Sequence, residues 1–124
     1  VTGNTIVNTA TGGGGFGGIR AIAEWITIHA NTVKTCASTT GGIIVAAGGS
    51  SPAPEGVIVS ANTVDRITNS RFIYSTGGQS SDIYGNRSRS WRVQDDATSD
   101  DMMYANNTCA LAASLSGTNP RTWA

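Results

Sequence analysis

Lysine is all but missing from this chain. Lys34 is the only one, and seven arginines supply the rest of the positive charge. Charge of either sign is scarce: Asp, Glu, Lys and Arg make up 13% of the 124 residues and sum to a formal net charge of zero, where soluble domains carry about 25% charged residues. That balance excludes a basic tail that grips nucleic acid by charge alone. It also gives weak support to solubility as a free monomer, and such a surface suits burial against copies of itself. Long apolar runs are absent too. None reaches the roughly 18 residues needed to span a bilayer and no signal-peptide pattern is present, so no membrane partner is expected. A start at Val1 reads as the result of removing an initiator Met or a leader.

Histidine and cysteine are equally sparse. His29 is the sole histidine, and no strong ligands surround it at metal-binding spacing, so it reads as a surface or interface residue. Cys36 and Cys109 are the only cysteines. They form either one disulfide closing a long loop or two buried thiols acting as small apolar groups. No Ser–His–acid order, catalytic carboxylate pair or metal-ligand set emerges, so neither an enzyme nor a cofactor is expected.

What the chain does contain is Gly, Thr, Ser and Asn, together over two-fifths of it. Short β-branched runs alternate with turn-forming clusters. Strands are expected at Thr5–Thr9, in the second half of Ile19–Ile28, and at Thr32–Ser38, Ile43–Ala47, Val57–Ser60, Val64–Tyr74 and Arg87–Val93. Between them lie glycine-rich turns at Gly12–Gly18, Thr40–Gly42, Gly48–Gly56 and Thr76–Ser81. Turns at ten- to fifteen-residue intervals predict an antiparallel sheet opened by an N-terminal hairpin. No internal repeat of fixed period stands out.

The C-terminal stretch predicts a helix. Ser99 is placed as N-cap, Asp100 and Asp101 lie where the helix dipole favours negative charge, and Met102 to Leu115 supply helix formers with an apolar stripe. Gly117 then stands as the C-terminal cap and Pro120 forbids continuation. The expected fold class is therefore α+β, one domain over residues 1–124.

Several motifs invite chemistry. Thr11 to Gly18 fits the glycine-rich loop of short-chain dehydrogenases, but the chain is short and the acidic and lysine partners are missing, so a flexible hairpin is the better reading. Asp95, Asp96, Asp100 and Asp101 form an acidic cluster without the spacing of a calcium loop. Asn86-Arg-Ser and Asn106-Asn-Thr match glycosylation sequons by pattern alone. In Arg87-Ser88-Arg89-Ser90-Trp91-Arg92, a strand would set Ser88, Ser90 and Arg92 on one face, where arginine and hydroxyls hold phosphates; a salt-bridged strand facing the nearby aspartates explains it equally well.

Four short segments resemble, in order, the coat proteins of single-stranded RNA bacteriophages: Ala23-Glu24-Trp25-Ile26, Thr35-Cys36-Ala37-Ser38, Ala97-Thr98-Ser99-Asp100 and Gly117-Thr118-Asn119-Pro120. The resemblance implies an intertwined homodimer that assembles in the host cytoplasm into the shell of a virion and binds genomic RNA on its inner sheet face. Thr35, Ser88, Ser90 and Arg92 would then face RNA, with Arg66 beside them where the register allows. Met103, Leu111 and Leu115 would pack on the partner's sheet, and the cysteines would stay reduced. The alternative is an extracellular β-rich adhesin or filament subunit carrying a Cys36–Cys109 disulfide.

Overall fold

The computed structural model describes residues 1–7, 18–34, 42–46, 53–65, 71–88, 92–109 and 113–123. These form a parallel β-solenoid. The first coil consists of β1 (Thr5–Val7), β2 (Ile19–Ala21) and β3 (Thr27–His29). The second consists of β4 (Thr32–Lys34), β5 (Ile43–Ala46) and β6 (Ile58–Ser60), and the third of β7 (Thr63–Asp65), β8 (Arg71–Thr76) and β9 (Asp82–Tyr84). The fourth holds β10 (Arg87–Ser88), β11 (Arg92–Asp95) and β12 (Met103–Ala105); β13 (Arg121–Trp123) belongs to a fifth, whose other two sides are single bridges at Thr108 and Ser114.

From β1 to β12 each strand pairs with the strand three places along the chain, and β12 pairs with β13, always in parallel, so three sheets run the length of the molecule. The first sheet has the order β1-β4-β7-β10, the second β2-β5-β8-β11 and the third β3-β6-β9-β12-β13. Inward-pointing residues stack in columns. Ile28, Val59, Ile83 and Tyr104 form one, Ile19, Ile43, Ile73 and Val93 another, and Ile6, Val33, Val64 and Ser88 a third. All but Ile6 are buried. Branched side chains suit this stacking, since identical shapes on successive rungs interlock without a change of rotamer. Removing each of the isoleucines from water contributes about 1.5–3 kcal/mol.

The corner from third to first sheet is the most regular feature. It is always two residues, the first left-handed and the second asparagine: Gly3-Asn4, Ala30-Asn31, Ala61-Asn62, Gly85-Asn86 and Asn106-Asn107. The amide of each asparagine donates to the side-chain oxygen of the next, at 3.0, 3.0, 2.9 and 2.9 Å. The same oxygens accept the backbone N–H of the preceding rung. Second amide hydrogens bond main-chain carbonyls such as Ile28 and Val59. A buried polar column is tolerable when its members satisfy one another, as they do here. Left-handed alanine costs about 1 kcal/mol or more at Ala30 and Ala61, and the ladder bonds offset it.

The α+β expectation is overturned. The sheets are parallel, and there is no helix among the described residues. Period-two burial is the same for parallel and antiparallel strands, and the turns here change sheet rather than reverse direction. The expected C-terminal helix fails on backbone geometry: Asp101 and Asn106 have φ of 48° and 51°, which no α-helix accommodates. Ser99 is no cap; its hydroxyl meets that of Ser75 at 3.0 Å. Between the two left-handed residues, Met102 and Tyr104 point inward and Met103 outward, a strand pattern.

Candidate functional site

The outer face of the first sheet carries a groove of about 390 Å³, lined by Thr32, Lys34, Thr63, Val64, Asp65 and Arg87. Strand pairing builds it from three successive coils. Thr32, Thr63 and Arg87 stack in one column, and Lys34 stands beside Asp65 in the next. Alternation within β4 and β7 turns Val33 and Val64 inward, which forces their flanking threonines and charged neighbours outward. Lys34 and Arg87 are exposed and Asp65 is half-buried. The groove thus reads positive, negative, positive along the molecule, with threonine hydroxyls between. Such a surface holds a ligand by ion pairs and hydrogen bonds and offers no aromatic ring to stack on.

Across the coil from this face lies the corner joining the second sheet to the third. Its left-handed residues are Trp25, Ser80, Asp101, Asn119 and Gly56, at φ from 44° to 62°. Directly before them stand Glu24, Gln79, Asp100, Thr118 and Glu55, all exposed, of which Glu55, Gln79, Asp100 and Thr118 bridge in sequence. The indole of Trp25 lies on Gly56, where a Cβ would meet its ring at 2.5 Å, and Trp25 keeps 74% of its surface exposed.

The residues expected to face RNA are not assembled on one surface. Ser88 on β10 is buried in the interior column above Val64, while Arg92 on β11 belongs to the second sheet. A chain that changes sheet between them cannot present both on one face. The Nε of Arg92 is buried without a hydrogen-bond partner. Thr35, Arg66, Ser90 and Leu111 lie outside the described residues. Met103 is half-buried on the outer side of β12, between Asp82 and Arg121, and Leu115 packs against this chain's own core.

The acidic cluster is dispersed as well. Asp95 is buried and accepts from the Tyr104 hydroxyl at 3.0 Å, from the Gly117 N–H at 3.1 Å and from the Ser116 N–H. Burial and the neighbouring Asp95 carboxylate hold the Tyr104 hydroxyl well above the ordinary tyrosine range. Asp96 accepts from Thr98 and from the Tyr74 hydroxyl. Partial burial opposes its ionisation, but hydrogen bonds from Thr76, Thr98 and Tyr74 outweigh that, so its carboxyl titrates below the usual value. Asp101 pairs with Arg121 at 2.9 Å. Among the described residues no group of His, Cys, Asp or Glu is arranged to hold a metal ion. Nδ1 of His29 meets the Ser60 hydroxyl at 2.9 Å. The sequon asparagine Asn86 is a buried rung of the ladder.

Neither the groove nor the ladder was singled out from sequence, yet a signal for both exists. Asn4-Thr5-Ile6, Asn31-Thr32-Val33 and Asn62-Thr63-Val64 repeat one tripeptide, continued by Asn86-Arg87-Ser88 and Asn107-Thr108-Cys109. Its spacing runs 27, 31, 24 and 21 residues, which hides it from any search for a fixed period. Comparison with models of protein families, with curated proteins and with solved structures finds no match to this chain.

Proposed function

We propose that this chain is a structural subunit of an extracellular β-rich filament, acting through its surface and not by catalysis. The asparagine ladder carries this reading. It joins every described coil to the next through the interior, so the coils form one stiff stack about 4.8 Å per rung. A rod of this kind presents the same polar columns along its whole length, which suits lateral and repetitive contact. Low charge and a surface rich in threonine favour burial of those columns against other copies.

A coat-protein role would draw on an antiparallel sheet and a helix laid across a partner, and the described residues offer neither, so the self-assembly is retained without the shell. The disulfide is left out of the proposal. Cys36 lies outside the described residues.

Negative-stain microscopy of the purified protein, with the 260 to 280 nm absorbance ratio of the same fraction, tests the role. Fibres free of nucleic acid are expected. Closed particles with nuclease-protected RNA, or dispersed particles at every concentration, would overturn it.

A further inference from the structure

The groove on the first sheet and the corner opposite it carry matching charge patterns on matching rungs. In the groove, Lys34 belongs to the second coil, Asp65 to the third and Arg87 to the fourth. On the corner, Glu55 belongs to the second coil, Gln79 to the third and Asp100 to the fourth. Positive–negative–positive therefore faces negative–amide–negative, and both series share one rung repeat because one ladder of coils sets both. Glu55, Gln79 and Asp100 are exposed, as are Lys34 and Arg87. No ion pair engages Lys34, Arg87, Glu55 or Asp100 among the described residues. The sheet face offers a groove to receive the exposed corner.

We infer that the groove of one copy receives the Glu55–Gln79–Asp100 corner of a second copy, with the solenoid axes side by side. Lys34 and Arg87 then pair with the two carboxylates, and the Gln79 amide donates to the Asp65 carboxylate. The two surfaces are different patches on opposite sides of one coil. Such a contact is heterologous and does not close on itself, so it repeats from copy to copy into a ribbon. Nucleic acid is a poor occupant of the same groove, because Asp65 sits in its middle and no aromatic ring lines it for bases to stack on.

This interface rests on the proposed filament role, and the test separates the two. Two variants, Lys34→Glu/Arg87→Glu and Glu55→Lys/Asp100→Lys, are compared with wild type by analytical ultracentrifugation and microscopy, with thermal melts confirming that each folds. Each variant alone is expected to associate about tenfold more weakly or worse, and an equimolar mixture of the two to recover association, since one reversed groove then meets one reversed corner. Wild-type assembly is expected to fall as salt is raised. Fibres that form equally well in both variants would overturn the interface and leave the filament role standing. Wild-type protein that stays monomeric at every concentration would overturn both.

Discussion

At the scale of single residues, the asparagines do the most. Asn62 donates to the Ile28 carbonyl and to Asn86, and its oxygen accepts the backbone and side-chain N–H groups of Asn31. Replacing it with alanine strands several buried groups at once, each costing about 1–3 kcal/mol. Asn62→Ala is therefore expected to lose about 3 kcal/mol or more in denaturant unfolding. Asn4→Ala at the exposed first rung should lose under about 1 kcal/mol, and equal losses at the two positions would refute the ladder as the main clamp. None of this shows in composition, where asparagine merely signals turns. The Asn86 sequon is a match by pattern alone, and the burial of Asn86 becomes legible only when the four other Asn–x–x tripeptides are aligned with it.

At the scale of elements, strand positions were largely readable and their partners were not. Ile43–Ala46, Ile58–Ser60 and the core of Arg71–Thr76 fall inside runs that β-branched content marks as strand. Direction is another matter, because alternation is blind to whether a neighbour runs parallel or antiparallel. The misread C-terminal stretch shows how local signals mislead. Serine before two aspartates imitates a cap, but Asp100 bridges Gln79 and Thr118, and Met103, Tyr104 and Ala105 form β12. A far-UV circular dichroism spectrum of β type, without the double minimum of a helix, is the expected observation. A helical signal worth a dozen residues would contradict the strand over Met103–Ala105. The groove could be foreseen only in part: Lys34 and Arg87 are visible as charges, whereas their alignment depends on coil lengths that differ from turn to turn.

At the scale of the whole molecule, two titrating groups tie stability to pH. Tyr104 has its pKa raised by burial and by Asp95, so its contribution is fully present below the ordinary tyrosine value of 10.0 and is lost as pH climbs beyond it. Asp96 has its pKa lowered by its hydrogen bonds, so its contribution is present above the ordinary carboxylate value of 3.8 and fades as pH falls below it. Melting curves across pH should thus hold a plateau between these limits. Tyr104→Phe should lower the plateau and flatten its alkaline edge, and an unchanged alkaline edge would show that Tyr104 does not set it. The last consequence comes from the two-residue corner that separates the third sheet from the first in every coil. Because each turn is re-zeroed there, an insertion in any other corner cannot propagate a phase error down the rod. The chain keeps a strict beat in space while its written text is free to lengthen or shorten, so indels in such a molecule alter what it displays and leave its ruler intact.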